Sequence, residues 1–430
     1  MSLLPNIIFA IILFSGLGFF ARNVSKLKRN IYLGKDVDTS GDIKLRWTNM
    51  AKIALGQGKM VRRPVSGILH IVVYIGFVII NIEVLEIIID GLFGTHRIFS
   101  AIGPLYGVLI GIFEILAALV FVAVVIFWFR RNVVKIQRFM KSEMKGWPKL
   151  DGNLILYFEI VLMALFIIMN ATDVEFQSIN SGNVISQFFT PIFEGLNVRL
   201  IERIAWWMHI VGILIFLNYL YYSKHLHILL AFPNTYYGSV KPKGQLDNLE
   251  AVTKEVKLMM DPDADPYAAV DEDAATPDKF GASDVQDLNW IQLLNAYTCT
   301  ECGRCTSECP ANQTGKKLSP RKIMMDTRDR LVEVGNNIDA NNGEFKLDGK
   351  QLLGDYITNE ELWACTSCNA CVEACPISID PLSIILEMRR YLVMEQSAAP
   401  MELNNMMSNI ENNGAPWPYN QMDRLNWKND

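Results

Sequence analysis

The chain has 430 residues, 51% of them apolar, 8 cysteines and a formal net charge of −5. That length allows two or three domains, and the small charge, with no basic stripe, excludes nucleic acid as a partner. Eight cysteines in so long a chain exclude the disulfide framework of a short secreted domain.

Five apolar runs fill the first half: Leu3–Phe20, Pro64–Ile89, Gly103–Phe129, Leu154–Met169 and Ile204–Ala231. A spanning helix needs roughly 20 apolar residues, and the short fourth run extends through Asn170 and Ala171. Met1–Asn6 carries no basic residue, and the basic residues follow the first run, so a retained helix is expected rather than a cleaved leader. Gly16-Leu17-Gly18-Phe19-Phe20-Ala21 lies inside this run and reads as helix packing, not a dinucleotide site. Eleven Lys or Arg lie in Arg22–Arg63 and seven in Arg130–Lys149, against Arg97 alone in one intervening loop and Arg199 and Arg203 in the other. Basic loops stay inside. The N-terminus is therefore expected outside a bacterial inner membrane, with everything after the fifth run in the cytoplasm.

All five histidines fall in this half. A histidine within a span suggests function, the plainer alternative being a place among headgroups. His70 lies near the inner end of the second run, His209, His225 and His227 on the fifth, and His96 in an outer loop. His209 and His227 are 18 residues apart, five turns and roughly 27 Å along a single helix, which sets one near each membrane face. Imidazoles on facing helices clamp a haem iron in a bundle core. A b-type haem is expected between His70 and His227, with His225 as the alternative ligand or a propionate contact. A second, outer haem needs a partner for His209. The second run offers only Ile80, Asn81 and Glu83 at that depth, which leaves His96 to turn back from its loop. Glu83, Glu86, Glu114 and Glu159 are candidates for a proton or quinone role, or helix-end groups that reach water. Lys224 reads as a snorkelling interface lysine ahead of a propionate partner.

Beyond the fifth run, Asp261–Asp278 holds seven Asp or Glu and three prolines and reads as a solvated linker. Asp261, Asp263, Asp265 and Glu272 have calcium-loop spacing, but Pro266 stands where glycine is needed, so calcium is not expected. The cysteines then fall in two copies of C-x2-C-x2-C-x3-C-P: Cys299, Cys302, Cys305, Cys309 and Cys365, Cys368, Cys371, Cys375. In two-cluster proteins three thiolates of each run hold one four-iron cube and the fourth crosses to the other. Cys299, Cys302, Cys305 and Cys375 are expected to hold one [4Fe–4S] cluster, and Cys365, Cys368, Cys371 and Cys309 the second. Zinc usually takes two ligand pairs rather than tight quartets. Ser319-Pro320 and Asp380-Pro381 read as an N-cap followed by proline at the first helical position, so each quartet leads into a helix.

The five-span arrangement with two histidines 18 apart resembles the gamma subunit of respiratory nitrate reductases. The second half resembles the HdrC-type dicluster domain of heterodisulfide reductases. C-T-E-C-G-R-C-T-S-E-C-P-A-N-Q-T-G-K-K-L-S-P (Cys299–Pro320), L-W-A-C-T-S-C-N-A-C-V-E-A-C-P (Leu362–Pro376), M-R-R-Y (Met388–Tyr391) and S-K-H-L-H-I-L (Ser223–Leu229) are together similar to membrane-bound iron–sulfur oxidoreductases. Some of that family are electron-transfer-flavoprotein:menaquinone oxidoreductases. Members often continue into cysteine-rich CCG domains, whereas this chain stops at Asp430, and its second run has one histidine where the nitrate reductase subunit has two.

The expected fold is mainly α: a five-helix transmembrane bundle followed by an α-helical, ferredoxin-like dicluster domain. The expected parts are residues 1–232 (haem domain), 233–284 (acidic linker), 285–400 (two-cluster domain) and 401–430 (tail). No nucleotide loop or catalytic triad accompanies them, so a soluble substrate has no evident pocket. The resemblance implies a quinone-linked oxidoreductase subunit that passes electrons between a cytoplasmic flavoprotein or CCG-domain (HdrB-like) partner and membrane menaquinone. The alternatives are a subunit of a heterodisulfide-reductase-like thiol–disulfide enzyme and a redox sensor or anchor. The partner surface is expected near Glu301–Glu308 or Thr366–Glu373.

Overall fold

The computed structural model describes residues 3–178, 182–242, 244–263 and 279–429. Among them there is no strand: five long apolar helices precede a helical region that carries the cysteines. The long helices are α1 (Leu4–Ile31), α2 (Pro64–Phe93), α3 (Pro104–Asn132), α4 (Trp147–Thr172) and α5 (Val198–Tyr219), the last continued by a turn over Leu220–Tyr222. Even α4, with 26 residues, reaches about 39 Å, more than the roughly 30 Å of a bilayer's hydrocarbon core. Proline opens α2, α3 and α4, where its missing N–H is one the first turn leaves unbonded anyway. Gly94 ends α2 in the left-handed conformation, φ 70°.

Small residues and amides close the bundle. A β-carbon on Gly91 would sit 2.6 Å from the Phe9 ring, and one on Gly76 2.4 Å from Val120 Cγ2, so glycine lets α1 and α3 approach α2. Asn6 donates to the Gly91 carbonyl (2.8 Å) and Asn218 to the Gly16 carbonyl (3.1 Å), which makes Gly16 a packing position.

The fifth apolar run departs from expectation. Instead of one helix through Ala231, the chain breaks at Ser223, which is extended (φ −112°, ψ 146°). A turn over Lys224–Leu226 follows, and α6 (His227–Tyr236) starts afresh. The five-turn spacing of His209 and His227 on a single helix therefore does not hold. The cause is polar. Asp151 of α4 accepts from the Tyr219 hydroxyl (2.5 Å) and the Lys224 N–H (3.2 Å), and the Ser223 hydroxyl accepts from the His225 N–H (3.1 Å). These bonds satisfy groups that a helix would otherwise have to pair. α6 then runs across the expected boundary at 232/233, and Asn234 donates to the Ile377 carbonyl at 2.8 Å.

In the second half, α7 (Trp290–Thr298), α8 (Pro320–Ala340) and α9 (Pro381–Arg390) pack around Leu288, Leu293, Ile323, Leu331 and Ile385, each 1% exposed or less. Ser319 and Asp380 cap α8 and α9 through the N–H groups of Lys322 and Ser383. This packing begins before residue 285: Ala282 is fully buried, and Asp284 accepts from Arg330. The apolar core is continuous with the bundle, running from Leu162, Phe216 and Leu27 into Leu288, Trp290 and Ile323. The contact is at the basic-loop end of the bundle. Arg29 binds Asp339, Arg63 binds Glu308 (2.8 Å), and Arg321 donates to the Arg138 carbonyl (2.6 Å). In the expected linker, Glu250–Met260 is helical, whereas calcium-loop positions Asp265 and Glu272 lie outside the described residues.

Candidate cofactor sites

Each cysteine run folds as a loop, a one-turn helix (Arg304–Glu308 or Ala370–Ala374) and a return. Both loops turn left-handed at matching places, Glu301 and Gly303 in the first (φ 55° and 70°), Ser367 and Asn369 in the second (55° and 59°). Such turns gather successive N–H groups into a concavity suited to an anionic group. The runs interleave. Cys299, Cys302 and Cys305 line a cavity together with Cys371 and Cys375. Cys375 lies in the field of Cys302, while Cys309 acts on Cys365 and Cys371.

Among the described residues no three His, Cys, Asp or Glu side chains are close enough to share one metal ion. A four-iron cube spreads its thiolates wider than a single tetrahedral ion does, and the interleaved runs supply four thiols for each of two cubes. Burial pushes the free thiols up, Cys299 to about 12 and Cys375 to about 11. Metal loading must displace those protons. The first loop is covered, with Glu301, Arg304 and Thr306 buried, whereas the second presents Thr366 and Cys368 to solvent.

Near the first loop, His70, His225 and His227 converge. The rings of His70 and His227 are 6.3 Å apart, tilted 43°. With metal–nitrogen bonds of about 2 Å, one iron would fit between two rings at this separation. His227 Nδ1 lies 3.2 Å from the Lys224 carbonyl, which leaves Nε2 free to ligate. His70 Nδ1 is buried with no hydrogen-bond partner, a polar atom that calls for a bound group. The pair fits a haem iron. His225 stands edge-on to His227 at 5.4 Å, with Nε2 3.7 Å from Glu159.

Sequence reasoning missed the joint beside these rings. Lys224 does not snorkel. It is buried, donating to the Pro148 carbonyl (2.7 Å) and to Glu301 of the first cysteine loop. Glu301 also accepts from Arg328 (2.8 Å). Against the upward push of burial, these two cations hold the Glu301 carboxyl below the usual range. The three residues are too far apart in sequence to signal one another.

At the opposite end most polar groups find protein partners, although one buried oxygen of Glu83 has none. Arg97, buried, donates to Asp173 (3.2 Å), Asn170 (2.7 Å) and Glu83 (3.5 Å). Glu86 accepts from Tyr106 (2.9 Å) and the Phe99 N–H (2.8 Å). Glu114 accepts from Asn170 (3.0 Å) and both donors of Ser186. His96 directs its nitrogens at Asp173 (3.2 Å) and Glu175 (3.5 Å). His209 has Nδ1 3.1 Å from the Leu162 carbonyl, and its ring lies 6.2 Å from that of Phe166. The structure does not bring His96 and His209 together. A cavity of about 330 Å³ opens at this end, lined by Phe9, Trp206, Trp207, Glu86, Asp90 and His96 among others.

Residues 298–379 match the family described as a 4Fe-4S dicluster domain. The chain is similar to the "probable iron-sulfur-binding oxidoreductase FadF" of Bacillus subtilis, 28% identical over 89% of this chain and 54% of that protein. It is similar to the "EtfAB:quinone oxidoreductase" of Syntrophomonas wolfei, 26% identical over 87% of this chain and 52% of that one. A "probable membrane-anchored ferredoxin" of Chromohalobacter salexigens is 33% identical over 37% of this chain and 25% of its own. The chain thus spans about half the length of the first two relatives. No solved structure matches.

Proposed function

We propose that this chain, a membrane-bound relative of iron–sulfur oxidoreductases, carries electrons between a soluble redox partner and menaquinone in a bacterial inner membrane. The cofactors are two [4Fe–4S] clusters and one b-type haem. The observation that carries this reading is the sequence of sites from solvent inward: the exposed Cys368 loop, the covered Cys302 loop, then the His70–His227 pair.

Cys299, Cys302, Cys305 and Cys375 would hold the inner cluster, and Cys365, Cys368, Cys371 and Cys309 the outer one. His70 and His227 would hold the haem. Bound there, these groups supply one-electron redox chemistry. The chain's own residues do the positioning. The Lys224 carbonyl sets the His227 ring, and the Lys224 ammonium ties that segment to the inner loop through Glu301. Burial of Glu301, Arg304 and Thr306 keeps water from the inner loop. Glu159 stands beside His225 as a proton partner. The partner surface is the Thr366–Cys368 loop, and the Glu301–Glu308 surface is set aside because Glu301, Arg304 and Thr306 are buried, leaving only Glu308 exposed. The name of the second relative pairs a flavoprotein with quinone, which favours a reduced-flavin partner over a CCG-domain one. Basic loops on the dicluster side support a cytoplasmic position for that domain.

The test is spectroscopic. Purified protein is expected to hold about eight cluster irons per chain plus b-type haem, and Cys309→Ser to damage the cluster that Cys365→Ser damages. A menaquinol analogue is expected to reduce the haem in membranes. If it never does and no partner copurifies, the chain is a sensor or anchor instead.

A further inference from the structure

The two cysteine sets sit in unequal fields. Around Cys299, Cys302, Cys305 and Cys375 five cations act. Arg304 lies within the loop itself and is 5% exposed. Arg138 faces Cys302, Arg328 faces Cys299 and Lys59 faces Cys375. Arg321, wholly buried, lines the same cavity and presses so close that a β-carbon on Gly303 would sit 2.5 Å from its Nη1. Carboxylates offset only part of this charge: Glu143 pairs with Arg321 (2.6 Å), Asp329 with Arg328 (2.9 Å), and Glu301 is shared by Lys224 and Arg328. Around Cys365, Cys368, Cys371 and Cys309 the balance is near zero, with Arg389 beside Cys365 and Asp380 beside Cys371.

We propose that this guanidinium shell makes the membrane-side cysteine set the electron sink of the pair, so that an electron entering at the exposed Cys368 loop comes to rest beneath the bundle. The inference deepens the reading above and rests on its cluster assignment. Reduction adds one negative charge and breaks no bond, and fixed cations favour the added charge. The electron donor is a reduced flavin, or dithionite in the test. Guanidinium charge does not titrate, so the bias holds across pH. Hydrogen bonds to sulfur do not separate the sets: Ile379 N–H reaches Cys375 (3.3 Å) and Ser367 N–H reaches Cys365 (3.4 Å). Water at Cys368 also favours added charge, so the cations around the inner set must outweigh both that solvation and the cost of burial.

An EPR-monitored dithionite titration of the purified full-length chain tests this. Cys368→Ser is expected to alter the signal that is reduced last. Arg304→Gln is expected to cut the electron's preference for the inner set by roughly tenfold, a 59 mV fall for one electron, and to leave the other signal in place. Arg304→Lys, which keeps the charge, is expected to leave both signals unmoved. Arg138→Gln, nearer the surface, carries the same expectation as Arg304→Gln should that variant not fold. The proposal is overturned if the signal altered by Cys368→Ser is reduced first, or if neither charge-removing variant moves the other signal. Iron near four per chain would instead overturn the cluster assignment beneath it.

Discussion

The two ends of the helix bundle handle polar side chains in opposite ways. At the dicluster end, His70 keeps a buried nitrogen without a partner, and His227 spends one nitrogen on a backbone carbonyl and keeps the other. At the far end, Arg97 and His96 bond to Asp173, Glu86 accepts from Tyr106 and the Phe99 N–H, and Glu114 accepts from Asn170 and Ser186. Charges within a bundle are tolerated when paired. The far end meets that condition with protein groups for all but one oxygen of Glu83, while the buried His70 nitrogen finds no protein partner at the near end. The contrast teaches that a ring nitrogen with nothing to bond marks a ligand site better than depth in the membrane does. By that test His70 and His227 are the candidate ligands, as is His209, whose Nδ1 likewise meets a backbone carbonyl, whereas His96 faces carboxylates with both nitrogens.

The sharpest way to break the comparison is by haem content. His70→Ala and His227→Ala are each expected to abolish the b-type band of the reduced spectrum, while His96→Ala leaves it whole. Half-loss in His96→Ala would restore a second haem. Next in size, Arg97→Met strands Glu83 as a buried, unpaired carboxylate, leaves Asp173 to His96 and the Phe176 N–H, and is expected to destabilise the chain by about 3–5 kcal/mol, read from unfolding in detergent. A change within noise would mean the far-end network is not what holds that end. Smaller again, Gly91→Ala drives a methyl group into the Phe9 ring and is expected to lose about 1–3 kcal/mol, rescued in part by Phe9→Leu.

The smallest effect concerns pH. The hydrogen bond to Asp173 lifts His96 above its usual 6.5, with burial working against it. Although burial pushes Asp173 up, His96 and Arg97 hold it at about 2, below its usual 3.8. The His96 contribution is full below pH 6.5 and fades as pH rises through its raised pKa. The Asp173 contribution is present above pH 3.8 and fades as pH falls toward 2. The stability gap between the native chain and His96→Gln is therefore expected to be widest between these limits and to close in mild alkali. It is expected to stay under about 1 kcal/mol, because the His96 ring is 37% exposed. A gap that grows with rising pH would reverse the assignment.

Much of this architecture is legible in local spacing. The cysteine runs, the proline-led helices and the apolar runs are one-dimensional signals, and four of the five runs became the expected helices. The fifth misled because its break is imposed from outside: Ser223 turns where Asp151 of another helix collects the Tyr219 hydroxyl and the Lys224 N–H. The helix α1 also outruns its apolar run, since Leu27, Asn30 and Ile31 bury against the second half rather than in lipid. Arg97 looks like a solitary loop charge in the sequence, and only the fold brings Asp173 and Glu83 to it. The Lys224–Glu301 pair was invisible for the same reason.

The apolar core that runs unbroken from the bundle into the dicluster region constrains how the protein can be made. Trp290 packs on Tyr32, just past α1, and on Tyr237, just past α6, and Leu288 and Ile323 share the same buried core. The Cys302 loop closes against Met60, Arg138 and Lys224 in the segments between the bundle helices, and its deepest thiols must give up tightly held protons to bind iron. Iron insertion into that loop therefore belongs early in biogenesis, before the ribosome-fresh second half has settled onto the inserted helices. The Cys368 loop, open to solvent, can be filled or repaired at any time in the life of the protein.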